Sequence, residues 1–106
     1  MPTYLYRIQP VRPEMLSEGA TPEEARITCE HFDYLKRLLD QGVLILAGRT
    51  LNEDCSAFGI GIFNARDDAH MRQLVRADPG VAQKLFRAEW HPFRIALRAP
   101  ANIEED

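Results

Sequence analysis

The stretch from Thr21 to Gly42 constrains this chain more than any other. Thr21-Pro22-Glu23-Glu24 reads as a helix start. Threonine suits the N-cap, proline the first helical position, and Glu24 completes a capping box. Gly42 supplies the left-handed stop for a helix that runs to Asp40 or Gln41. At 100° per residue, Ile27, His31, Tyr34, Leu35 and Leu38 fall on one side. Such a stripe must lie on another layer, and a titratable imidazole sits near its middle.

The flanking segments supply that layer. Tyr4 to Gln9 alternates apolar and polar residues and predicts a strand. Pro10 and Pro13 end it, and the stretch to Ala20 reads as a long loop. Val43 to Ala47 is a continuous apolar run after the helix stop, hence a second strand. Gly48 to Ser56 is a polar loop. Ala57 to Phe63 predicts a third strand, with Gly59 and Gly61 on one face and Phe58, Ile60 and Ile62 on the other. Ala65-Arg66-Asp67-Asp68 opens a second helix carrying Met71, Leu74 and Val75. Asp78-Pro79 interrupts it, since proline disfavours helical geometry at the residue before it. Val81 to Phe86 is expected to resume as a short helix. Trp90 to Leu97 is expected as the last strand, with Phe93, Ile95 and Leu97 opposite Trp90.

The order βαββαβ predicts an α+β, ferredoxin-like domain: a four-stranded antiparallel sheet with two main helices on one face. It spans residues 1–99, followed by a short acidic tail, 100–106. The 106-residue chain suits one domain. A wet second sheet face would alternate cleanly. The second strand is instead apolar on both faces, and the last carries large residues on both. That predicts a homodimer through the open sheet face.

Charge and motifs narrow the function classes. A net charge of −3 with acids and bases interspersed argues against a nucleic-acid partner. No apolar run approaches the ~20 residues that span a bilayer, so no membrane partner is expected. Met1-Pro2-Thr3-Tyr4 is unlike a signal peptide. Cys29 and Cys55 lack metal-ligand spacing and read as free thiols in a reducing cytoplasm. No P-loop or dinucleotide-binding glycine pattern occurs. Neither a metal nor a cofactor is expected.

His31 has two readings. It is a core histidine bonded to a backbone carbonyl, or an acid/base group in a pocket, for which a carboxylate would set the tautomer. Asp78 before Pro79 reads as the N-cap of a short helix, and it points inward if the preceding helix persists. Gly48, Gly59 and Gly61 leave either cavity space or room for close packing. Arg49 and Arg12 flank the loops, as substrate-carboxylate ligands or solvated arginines. His70 and His91 are weaker candidates, and Tyr4, Tyr6 and Trp90 read as core or interface aromatics.

Taken in order, several pieces resemble the YciI-like (YCII-related) family. They are the Tyr-rich first strand, the helix with its central histidine, and Leu-Leu-Asp-Gln-Gly-Val-Leu-Ile-Leu-Ala-Gly at 38–48. Ala77-Asp78-Pro79-Gly80-Val81 and His91-Pro92-Phe93 follow. The resemblance implies a dimeric α/β barrel and an active site built on His31 and Asp78. It also implies acid/base chemistry of the kind by which some relatives remove halide from ring-cleavage products without a metal. Many members carry Ala-Gly-Pro where this chain has Ala47-Gly48-Arg49, which alters the mouth of a pocket. The expectation is a metal-free, cofactor-free enzyme acting on a small, anionic organic substrate by elimination, lactone isomerisation or hydrolysis. His31 and Asp78 would be catalytic, and Gly48, Arg49 and Arg12 would bind substrate. The alternative is a small-molecule binding module or accessory subunit.

Overall fold

The Thr21 hydroxyl accepts the backbone N–H of Glu24, and the Glu24 carboxylate accepts that of Thr21, so the capping box forms as read. Gly42 takes its positive φ of 74°. The structure, a computed structural model, describes residues 1–100. The acidic tail, apart from Pro100, lies outside the described residues.

The elements are β1 (Thr3–Pro10), α1 (Glu14–Ser17), α2 (Pro22–Asp40), β2 (Leu44–Arg49) and β3 (Gly59–Asn64), then α3 (Asp68–Ala77), α4 (Pro79–Ala82) and β4 (Phe86–Phe93). The sheet order is β2-β3-β1-β4 with every neighbour antiparallel. This is the ferredoxin-like arrangement. Tyr4, Tyr6 and Phe63 share one face by register. They form a buried cluster with Leu38 of α2 and Met71 of α3, so both long helices cover that face. Among the described residues, no helix is long and apolar enough to cross a membrane.

Three local expectations need correction. The stretch before Ala20 is not all loop, because α1 forms within it. The last strand begins at Phe86, not Trp90, and ends at Phe93. The short helix before it spans Pro79–Ala82 rather than 81–86. Lys84 takes a positive φ of 61°, which a non-glycine residue adopts at a cost, and turns the chain into β4. β4 then pairs with β1 along its full length, from Pro10↔Phe86 to Thr3↔Phe93. Pro92 is tolerated because β4 is an edge strand.

β2 departs from simple alternation. Its register slips between Leu44 and Leu46. Leu44 pairs with Phe63 on the helix side, whereas Leu46 pairs with Ile62 on the open side. This bulge explains a run that is apolar on both faces. It also puts Ala47 and Arg49, opposite Gly61 and Gly59, on the helix side. Without the slip Arg49 would point to the other face.

Candidate functional site

Each of three elements delivers one polar group to a common point. α2 presents His31 from its apolar stripe, and the α3–α4 junction presents Asp78. The central strand β1 presents Tyr6. Asp78 has no exposed surface and His31 is 7% exposed. The His31 Nδ1 lies 2.7 Å from Asp78 Oδ1 and 2.9 Å from Oδ2. The Tyr6 hydroxyl donates to Oδ2 at 2.6 Å, and the Gly80 backbone N–H donates to Oδ1 at 2.8 Å. Donors converging on one carboxylate match its ionised, acceptor-only form, which assigns the ring hydrogen to Nδ1.

The two readings of Asp78 coincide. It caps α4 through the Gly80 N–H and holds His31 with the same carboxylate. Burial, followed by the charge of Asp78 and the hydrogen bond to it, pushes the Tyr6 phenol far above its ordinary range. Tyr6 therefore stays a neutral donor. The neighbouring Tyr34 phenol, pushed up to about 12 chiefly by burial, donates instead to the Leu74 carbonyl. The ring of Phe86 packs edge-on against His31, with centroids 4.9 Å apart.

The other imidazole nitrogen faces a cleft. Among the described residues Nε2 makes no hydrogen bond, yet no buried side-chain nitrogen or oxygen lacks a partner. Nε2 is therefore accessible, and His31 lines a cleft of about 760 Å³ between α2 and the helix side of β1, β2 and β3. Tyr6, Ile8, Leu35, Ala47 and Phe86 give it apolar walls, and Met15 and Leu16 of α1 close one side. Thr28, Cys29, Asp33, Arg49 and Thr50 contribute polar groups. The size is typical of clefts that bury small organic ligands.

The other predicted positions separate. Gly48 and Arg49 line the cleft. Arg49 is exposed and makes no ion pair among the described residues. A Cβ on Gly48 would meet nothing within 4 Å, so no packing demand explains that glycine. Gly59 and Gly61 do answer packing demands. A Cβ at Gly61 would come within 2.9 Å of the Phe63 ring, and one at Gly59 within 3.3 Å of Ile8 and the Gly48 carbonyl. Arg12 is not brought to the cleft. It makes a bidentate pair with Glu24, Nε to Oε2 at 2.8 Å and Nη2 to Oε1 at 2.6 Å.

His70 and His91 also lie elsewhere, His70 accepting the Arg66 N–H and His91 beside Glu89. No group of three potential metal ligands comes together among the described residues. Cys29 and Cys55 are free and exposed. Tyr6 is the site residue that sequence reasoning placed among the core or interface aromatics. The available signal was an inward-facing phenol on a strand, which needs a buried acceptor.

Glu24 serves both the capping box and Arg12. Hydrogen bonds from Arg12 come first, and that from the Thr21 N–H second, in holding its carboxyl down at about 2. A depressed carboxyl contributes stability above its unfolded value, here 4.5, and loses it as pH falls toward 2. The pair should therefore hold the 11–20 segment at neutral pH and release it in acid. Hydrogen exchange of residues 11–20 is expected to quicken, relative to the rest of the chain, between pH 4.5 and 2. In Arg12→Met that acid-dependent increase should be much reduced. An increase of equal size in both proteins would disprove the latch.

A ferredoxin-like α+β domain with a buried His–Asp pair beside an apolar cleft is the class that fold and site define. The YCII-related domain model matches residues 7–89, and the chain belongs to that family. Among solved structures, the fold is similar to 5-chloro-2-hydroxyhydroquinone dehydrochlorinase (TftG) from Burkholderia phenoliruptrix AC1100, in complex with 2,5-dihydroxybenzoquinone. The TM-score is 0.64 at 18% identity, over 87% of this chain and 93% of that one. At that identity the likeness speaks for the fold. No curated protein matches the chain.

Proposed function

We propose that this protein is an enzyme whose acid/base chemistry is carried by His31, positioned by Asp78, on a small organic acid. Elimination, lactone isomerisation and hydrolysis are the reaction types within reach of that pair, with no cofactor required. The observation that carries the reading is the division of labour on the imidazole. Nδ1 is held by a buried carboxylate, while Nε2 has no partner among the described residues and opens into an apolar cleft. That is how a general base is oriented, with a second group fixing its tautomer and stabilising the imidazolium that forms.

In an elimination, Nε2 takes a proton from carbon. The C–H electron pair becomes a carbon–carbon π bond, and the leaving group departs with its own pair. Arg49, at the mouth and without an ion-pair partner among the described residues, is the proposed ligand for the substrate's anionic group, and the register turns it to the cleft side of the sheet. Apolar walls favour a ring or other planar apolar body behind that group. The neighbour's dehydrochlorination makes chlorinated hydroxyquinols the first substrates to assay.

Chloride release from 5-chloro-2-hydroxyhydroquinone is the direct test, with a panel of chlorinated lactones beside it. His31→Ala should lower turnover by ~10²–10⁴-fold, the range for loss of a positioned acid/base group, while the circular dichroism of the fold is retained. Full turnover in that variant would sink the assignment. Tight binding of 2,5-dihydroxybenzoquinone without turnover of any panel member would replace catalysis with the binding-module reading.

A homodimer through the open sheet face belongs to the same proposal. Leu5, Ile60, Ile62 and Leu46 share that face by register, and Leu46 is 48% exposed. Leu5 and Ile60 are half-buried and Ile62 is buried, so Leu46 is the exposed member of this apolar face, which fits an interface. Sedimentation at micromolar concentration should give twice the chain mass, reduced to one chain by Leu46→Glu. A wild-type monomer would refute it.

A further inference from the structure

We propose that Tyr6 is a positioning residue for the His31–Asp78 pair, fixing the plane of the carboxylate and through it the placement of the imidazole proton. The proposal rests on the acid/base reading only in giving that placement a catalytic purpose. Its geometry stands alone.

The Asp78 carboxylate turns about its Cβ–Cγ bond unless both oxygens are held. Oδ1 is held by the Gly80 N–H at 2.8 Å and Oδ2 by the Tyr6 hydroxyl at 2.6 Å. These two donors come from opposite layers, α4 and the sheet. Between them the carboxylate presents both oxygens to His31 Nδ1, at 2.7 and 2.9 Å, rather than one. The Tyr6 backbone is itself fixed, since β1 is paired on both sides, Tyr6 opposite Gly61 in β3 and Trp90 in β4. Its ring is fixed too, edge-on to Phe63 with centroids 5.3 Å apart.

The phenol is suited to this task and to no proton transfer. Burial and the adjacent carboxylate keep it protonated, so it donates at every working pH. A donor to Oδ2 withdraws negative charge from the carboxylate and weakens its pull on the Nδ1 hydrogen. Tyr6 thus sets both the direction and the strength of the bond that orients the imidazole. It also lines the cleft, so that a ligand beside His31 lies against the same ring.

The test reads the imidazole directly and needs no substrate. In uniformly ¹⁵N-labelled protein, the His31 Nδ1 proton is observed in wild type, Tyr6→Phe and Tyr34→Phe. Tyr6→Phe keeps the ring against Phe63 and removes only the hydroxyl. Its Nδ1 proton should move downfield, because a carboxylate with one donor fewer draws harder on the imidazole. Tyr34→Phe, which loses a bond to the Leu74 carbonyl instead, should leave that resonance in place.

If Tyr6→Phe does not fold, fluorotyrosine labelling of the Tyr34→Phe protein makes the phenol a stronger donor. The Nδ1 resonance should then move upfield. An unmoved resonance in folded Tyr6→Phe, or equal shifts in Tyr6→Phe and Tyr34→Phe, would overturn the assignment. A shift confined to Tyr6→Phe, together with full turnover in His31→Ala, would leave the positioning role intact and remove the catalytic one.

Discussion

Asp78→Ala should lose about 3 kcal/mol of stability or more, because three buried donors lose their shared acceptor at about 1–3 kcal/mol each. The side chain has no exposed surface and serves three donors at once. Its removal leaves the Tyr6 hydroxyl, the Gly80 N–H and the His31 Nδ1 without an acceptor, and α4 loses its cap. Each unsatisfied buried group costs about 1–3 kcal/mol, more when charged. A domain of this size holds only about 5–15 kcal/mol in total, so the variant should be folded marginally or not at all. Asp78→Asn keeps the shape and an oxygen for the Gly80 N–H, and should lose about 1–3 kcal/mol. Urea unfolding at fixed pH measures both, as a lowered midpoint with an unchanged slope. An Asp78→Ala protein within about 1 kcal/mol of wild type would mean the network is not what joins the α3–α4 junction to the sheet.

Much of this network was open to inspection in the sequence, for unequal physical reasons. The α2 helix was legible because its caps and its stripe are local signals, read within one turn or along one face. They put His31 on the buried side without any knowledge of the sheet. Asp78 was legible as a cap, and the family resemblance supplied its second role. No local rule says that a cap at residue 78 lies beside residue 31. Tyr6 was legible as inward-facing but not as a ligand of Asp78, because the two meet only once β1 sits at the centre of the sheet.

Arg49 shows the limit most plainly. A continuous apolar run has no alternation from which to read which way its last residues point. The bulge between Leu44 and Leu46 turns Arg49 to the helix side. The strand β4 was misplaced by four residues because Phe93, Ile95 and Leu97 alternate convincingly. The chain instead pairs earlier residues with β1, entering through a left-handed Lys84 that no composition rule flags. Arg12 reads from the sequence as a substrate-carboxylate ligand or a solvated arginine flanking a loop, and the structure gives its guanidinium to Glu24.

Gly80→Ala is where two rules of thumb predict opposite signs, and magnitude decides. Gly80 lies in the first turn of α4, where alanine is the better helix former by about 1 kcal/mol. Propensity alone predicts a more stable protein. A Cβ at this position, however, would lie 2.5 Å from Phe86 Cδ2 and 2.8 Å from Cε2, with Asp78 Oδ1 at 3.3 Å. The Phe86 ring cannot simply retreat, because His31 packs on it at 4.9 Å. Overpacking of this kind costs about 1–3 kcal/mol, so steric crowding should match or exceed the gain.

The net result should be a loss of up to about 2 kcal/mol by urea unfolding, the overpacking cost less the propensity gain. A shifted His31 ring should accompany it in the NMR spectrum, although no polar group has been removed. Phe86→Leu placed in the same protein relieves the clash and should recover part of the loss, a coupling that a double-mutant cycle isolates. A Gly80→Ala protein more stable than wild type, with His31 resonances unmoved, would show that Phe86 has room to yield. The close approach of α4 to β4 would then not be what presses Phe86 against His31.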